Sequence, residues 1–212
     1  MMIKLLPLLL FVSSCSLVIA DPTANCDQGT AKRASYAVPQ FKWTEDYVSV
    51  CWENPQARFT NEMARVENSI DVAWDQYIRM DFLWMDRCGP SDDVHIVIDD
   101  VRPNSNVGEP RADRKPSVVY LNFEMSNWGC ATKLRDDCIA YEANHEFGHV
   151  LGLLHEQDRP DAPKDLTCEY TGETDPSFVE IGPYDPSSIM NYCSNTAWPD
   201  CEDIDTIQQI YN

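Results

Sequence analysis

Residues 145–155 read HEFGHVLGLLH, and three of the chain's four histidines lie in them. No other stretch constrains the fold as much. His145 and His149 are four residues apart, so on a helix both imidazoles leave the same face and can hold one ion between them. Gly152 can take the left-handed backbone that ends a helix, which lets the chain reverse and bring His155 back as a third ligand. Three nitrogen ligands leave a tetrahedral Zn2+ with one open position, the feature that separates a catalytic zinc site from a structural one. Three neutral imidazoles also suit zinc better than calcium or magnesium. Glu146 sits beside the first ligand as general base: it takes the proton of the zinc-bound water and later delivers it to the leaving amine. The metal ligands expected are therefore His145, His149 and His155, with Glu146 catalytic in peptide-bond hydrolysis.

The N-terminus indicates the compartment. MMIKLLPLLLFVSSCSLVIA carries one early charge at Lys4, an apolar run from Leu5 to Val12, and small residues leading to Ala20, so residues 1–20 read as a signal peptide. Pro7 and Ser13-Ser14 break the run well short of the roughly 20 apolar residues of a spanning helix. Val12-Ser13-Ser14-Cys15 resembles a lipobox. Cleavage after Ala20 instead discards Cys15 and leaves an even set of cysteines (26, 51, 88, 130, 138, 168, 193 and 201), suited to disulfides in an oxidising compartment. Their pairing is not readable, and the absence of a C-x-x-C pair argues against a cysteine zinc site. A secreted, extracellular protein is expected. With 35 acidic residues against 16 basic, the chain would be repelled by phosphate backbones and anionic lipid, so nucleic acid and membrane surfaces are excluded as partners. A monomer acting on protein or peptide substrates is expected.

Residues 21–33 end on the dibasic pair Lys32-Arg33 and read as a short pro-segment, which leaves 34–212 as one catalytic domain. The stretch 21–40 is polar and without periodicity. YVSVCW (47–52) alternates Val48, Val50 and Trp52 as a strand would, and VHIVID (94–99) and VVYLNF (118–123) are apolar runs of strand length. Phe59, Met63, Val66, Ile70, Trp74 and Tyr77 recur at steps of three and four, which predicts a helix over 59–80 whose stripe packs against a core. A second helix, 137–152, carries the zinc motif, with Asp136 or Asp137 at its cap. Prolines and glycines between 160 and 186 predict irregular chain, and DIDTIQQIY forms a closing helix. His95, alone in an apolar strand, reads as a hydrogen-bonded sheet histidine outside the site.

His145-Glu146-x-x-His149-x-x-Gly152-x-x-His155 resembles the extended zinc signature of the metzincin endopeptidases, and Ser188-Ile189-Met190-Asn191-Tyr192 resembles their Met-turn. Glu156, followed by Gln157, Arg159 and Asp161, is most similar to the astacins. The resemblance implies an α+β, metzincin-like zincin fold: a mixed twisted sheet with a backing helix and the zinc-binding helix, then an irregular C-terminal subdomain with a terminal helix. It implies further that Met190 floors the metal site. Tyr192 is implied as a second catalytic residue, ligating zinc at rest and swinging to stabilise the tetrahedral intermediate. The counterpart of Glu156 in astacins contacts the buried new N-terminus of the mature enzyme. The chain departs from astacins in three respects: Asn191 stands where His is common, the pro-segment is short and lacks an aspartate-switch motif, and the cysteines outnumber a two-disulfide scheme. It is thus closest to a divergent, astacin-like zinc metallopeptidase. A catalytically silent binding or inhibitor domain on the same scaffold is the alternative; such a domain would be free to lose Glu146, which is present. A small disulfide-rich interaction protein would leave the histidine spacing unexplained.

Overall fold

Alternation of apolar residues along three short runs builds the sheet. The strands are β1 (Ser35–Ala37), β2 (Tyr47–Trp52), β3 (Asp81–Met85), β4 (Val94–Ile98), β5 (Asn104–Ser105), β6 (Ser117–Leu121) and β7 (Val179–Ile181). The helices are α1 (Thr60–Ala73), α2 (Arg135–Val150) and α3 (Cys201–Tyr211). The computed structural model describes residues 35–110, 116–130, 134–165, 168, 171–172, 178–194 and 196–212. The expected signal peptide and pro-segment, with Cys26 and Lys32-Arg33, lie outside the described residues.

Five strands form one mixed sheet in the order β3-β2-β4-β6-β5, parallel except for β5, which runs antiparallel to β6 along the edge. Val48 and Val50 of β2, Val94, Ile96 and Ile98 of β4, and Val119 and Leu121 of β6 are buried, and the residues between them are only half-buried. The period of two thus gives the sheet one fully covered face. Val66 and Ile70 of α1, and Ile139, Ala143, Phe147 and Val150 of α2, join that face in a single core. Phe82 of β3 meets Phe147 edge-on, with ring centroids 5.4 Å apart. Because α2 is enclosed by the sheet, α1 and the chain that follows it, every residue from Glu142 to Val150 is buried.

Several boundaries differ from the sequence expectation. The helix expected over 59–80 is confined to Thr60–Ala73, flanked by single tighter turns at Ala57–Phe59 and Asp75–Tyr77. Trp74 ends it: the indole N–H donates to the carbonyl of Asn144 on α2, and Asp75 turns its carboxylate to the amide of Phe82, the second residue of β3. The apolar spacing continues past the helix because these residues are core in whatever backbone carries them. α2 begins at Arg135 behind Leu134, which makes no side-chain cap; Asp136 and Asp137 lie in its first turn, where a negative charge favours the helix dipole. Two strands lie in stretches expected to be irregular. β1 and β7 pair antiparallel, with Ser35 opposite Ile181, and neither three-residue run is long enough to show an alternation.

Disulfides join Cys51 to Cys88, Cys130 to Cys138 and Cys168 to Cys193, and Cys201 is also disulfide-bonded. His95 is a sheet histidine whose Nδ1 lies 2.8 Å from Glu53. Asp200 caps α3 in a reciprocal box with Asp203. No helix among the described residues is long and apolar enough to cross a membrane.

Candidate metal centre and catalytic groove

The end of α2 builds the centre. The last carbonyls of the helix are taken by distant groups: Val150 by the Trp43 indole, Leu151 by the Tyr211 hydroxyl and His149 by the Gly108 amide. Gly152 has φ +96°, a conformation that strains any residue with a Cβ, and there the chain turns back. Leu154 then donates to the carbonyl of Tyr36, and His155 follows against the two helix histidines.

All three histidines are buried. His145 and His149 ring centroids lie 4.9 Å apart, and those of His149 and His155 lie 4.5 Å apart. Each Nδ1 is engaged outward. His145 Nδ1 donates to the carbonyl of Ile189 at 2.9 Å and His149 Nδ1 to that of Leu153 at 2.8 Å. His155 Nδ1 donates to the Thr171 hydroxyl at 3.2 Å, and that hydroxyl in turn donates to the buried carboxylate of Asp158. These outward bonds fix the tautomer that leaves each Nε2 lone pair pointing inward. Nε2 of His149 and His155 face each other at 3.1 Å, and Nε2 of His145 is buried with no hydrogen-bond partner. Burial, then the neighbouring His149 and His155, hold the His145 imidazole well below its usual pKa and so neutral. A neutral all-imidazole set with every Nδ1 braced fits Zn2+.

Met190 lies directly under α2. A Cβ on Gly148 would fall 2.4 Å from the Met190 sulfur, so a larger residue there would force the methionine to shift. The Tyr192 ring stacks on His145 at 5.4 Å and tilts against His155 at 4.5 Å, while its amide donates to Gln157. Glu146 is nearly buried, and the Ser105 hydroxyl on β5 lies 2.8 Å from its Oε2. Of the residues expected at the site, the structure brings His145, His149, His155, Glu146 and Tyr192 together. Ser105 had no sequence signal, being a lone serine in the unpatterned stretch Pro103–Asn106. Arg102 was equally silent; its guanidinium lies over Trp128 at 5.0 Å and over Tyr192 at 5.2 Å.

Two adjoining cavities, of about 250 and 190 Å³, share Arg102, Pro103, Glu146 and Tyr192, so a groove runs past the histidines along the edge strand β5. Its larger end is walled by Trp128 and Tyr141. Behind the histidines, Glu156 is fully buried: its Oε1 accepts from the Asp185 amide at 2.8 Å and lies 3.4 Å from Arg159, whereas its Oε2 has no hydrogen-bond partner. Burial outweighs the Arg159 charge and raises Glu156 to about 7.

A helix bearing two of the three converging histidines, packed beneath a mixed sheet, with a glycine turn and a methionine below it, gives the metzincin-like zincin fold. Among solved structures, two of myroilysin share it. One is 15% identical over 83% of this chain and 98% of that chain, with a TM-score of 0.61. The other is 17% identical over 92% and 96%, with a TM-score of 0.54. High choriolytic enzyme 1, a hatching enzyme zinc-protease from the medaka fish Oryzias latipes, is 20% identical over 71% of each chain, but its TM-score of 0.41 is too low to inform the fold. No protein-family model and no curated protein matches the chain.

Proposed function

We propose that the chain is a secreted zinc endopeptidase of the astacin-like type. The observation that carries this reading is the convergence of three inward-facing Nε2 atoms beside a carboxylate, Glu146, that is itself held in place at the wall of a groove. His145, His149 and His155 would hold the ion. Bound there, Zn2+ lowers the pKa of a water toward neutrality and polarises the scissile carbonyl. Glu146 receives that water's proton at a carboxylate oxygen and passes it to the nitrogen of the leaving amine. Ser105 keeps the carboxylate from turning away, which makes it a positioning residue. The Tyr192 phenol, on a ring seated against His145 and His155, offers a hydrogen bond to the carbonyl oxygen as it gains negative charge. β5 presents backbone donors and acceptors to an extended peptide, which orders the substrate along the groove.

Secretion accords with the disulfides. Residues 1–20 as signal peptide, 21–33 as pro-segment and 34–212 as catalytic domain belong to the same reading, as do a monomeric state and protein or peptide substrates. Cleavage after Arg33 would free an ammonium at Ala34. Arg159, which donates to the carbonyl of Ser35 at 2.7 Å, also lies 3.4 Å from Glu156, the residue whose astacin counterpart contacts the new N-terminus.

Purified protein should bind one Zn2+ per chain and cleave a mixed peptide library, with activity lost to a chelator and restored by zinc. Glu146→Gln is expected to keep the zinc and the fold while lowering kcat about 100-fold or more. Undiminished zinc in His145→Ala, His149→Ala and His155→Ala, or near-native activity in Glu146→Gln, would sink this reading.

A further inference from the structure

The first turn of α3 gathers carboxylates with no cation beside them. Asp185, Asp200 and Glu202 each present a carboxylate oxygen, and these oxygens lie within 4.8 Å of one another. Asp185 is only 6% exposed. Its Oδ1 accepts from the amide and hydroxyl of Ser187, at 2.8 and 2.6 Å, whereas its Oδ2 is buried with no hydrogen-bond partner. Asp200 repeats the pattern: Oδ1 caps α3 through the Asp203 amide, and Oδ2 is buried and unpartnered. Asp203 is no spare acceptor, since it already takes the Ser188 hydroxyl and the amides of Ile189 and Asp200. Among the described residues no Lys, Arg or His forms an ion pair with Asp185, Asp200, Glu202 or Asp203. Two buried carboxylates this close need either a shared proton or a cation. Burial, then the facing Asp185 carboxyl, raises Asp200 to about 7, so above neutral pH the proton is weakly held.

We propose that Asp185, Asp200 and Glu202 form a calcium site that braces the floor beneath the histidines. The donors are all hard carboxylate oxygens without nitrogen or sulfur, which disfavours zinc, and three carboxylates completed by water suit Ca2+, which tolerates irregular oxygen shells, better than Mg2+ with its strict octahedron. Asp185 and Asp200 supply the inner oxygens, half-buried Glu202 closes the solvent side, and water completes the shell. The ion takes the place of the shared proton. It fastens the start of α3 to the segment that carries Met190 and Tyr192, because Asp185 also donates its amide to Glu156. The site touches none of the histidines and does not depend on peptidase activity.

The test is thermal unfolding of the zinc-loaded full chain at pH 7.5, titrated with Ca2+ or Mg2+. Tb3+ luminescence sensitised by Trp198, two residues before Asp200, provides a second readout. Calcium should raise Tm saturably, by about 5 °C or more at a hundredfold excess over Kd, and magnesium far less. The rise and the terbium signal should be lost in Asp185→Asn and weakened at least tenfold in affinity in Glu202→Gln, a partly exposed change that leaves the core untouched. No saturable calcium shift at pH 7.5, or an equal shift in Glu202→Gln, overturns the proposal and leaves the pair holding a proton alone.

Discussion

The sheet with its covering helices and the chain that follows His155 are both buried, yet by different means. β2, β4 and β6 bury Val, Ile and Leu, with Ser117 the polar residue among them, and their half-buried positions mix Ser49 and His95 with Val97, Val118 and Tyr120. After His155 apolar Ile189, Met190, Ile204 and Ile207 are buried too, but beside them are buried polar Glu156, Gln157, Asp158, Arg159, Asp185, Ser188, Asn191, Asp203 and Thr206. There the interior is a hydrogen-bonded network: Asn191 donates to the Tyr184 hydroxyl, Asp203 gathers three donors, and Arg159 reaches the carbonyls of Ser35 and Gly182 and the carboxylate of Asp161. Apolar packing is non-directional and absorbs small changes of shape. A buried polar network is all or nothing, because each lost partner strands another group.

That contrast orders the expected responses to mutation. Arg159→Ala leaves the buried Glu156 without its cation and two carbonyls without a donor; a loss of about 3–5 kcal/mol is expected in denaturant unfolding. Asp203→Ala strips the acceptor from three donors and undoes the α3 capping box, at about 2–3 kcal/mol. Leu121→Met, a volume-conserving swap in the sheet, should cost under about 1.5 kcal/mol. A cost for Leu121→Met as large as that for Asp203→Ala would break the comparison.

A further expected effect is one of pH. The Asp200 carboxyl is raised from 3.8 to about 7, so the folded chain keeps a proton that the unfolded chain has released. In calcium-free buffer the stability of the wild type relative to Asp200→Asn should therefore fall as pH rises from about 4 to about 7, by at most about 1.4 kcal/mol per unit. A relative stability that rises over this window would reverse the sign of the effect.

The same contrast explains what the sequence made legible. The convergence of the histidines was readable because they lie at fixed offsets along one helix and one turn, and Gly152 carries the left-handed backbone that lets the chain turn back. β2, β4 and β6 were readable as apolar runs of strand length, and α2 from the histidine motif and the aspartates near its start. β3 was hidden in the tail of a helical pattern, since Trp74 and Tyr77 keep their core spacing after the helix has stopped. β1 and β7 exist only through each other, and no local signal marks a three-residue strand. Ser105 is a polar residue whose importance lies wholly in which carboxylate it meets across space. The disulfides required the fold, since about a hundred pairings of eight cysteines are open to a bare sequence.

The pairing of Val38 with Gly152 and of Tyr36 with Leu154 has a kinetic meaning. Chain starts are commonly the first parts of a protein to fray. Here residues 36–38 are laced to the three residues that precede His155, so opening of the strap frees the backbone on which the third ligand stands. Release of the metal should therefore follow the breathing of this strap, and amide exchange at Leu154 should keep time with it. An event far from the groove in sequence, at the first described strand, would then set how long the centre stays assembled.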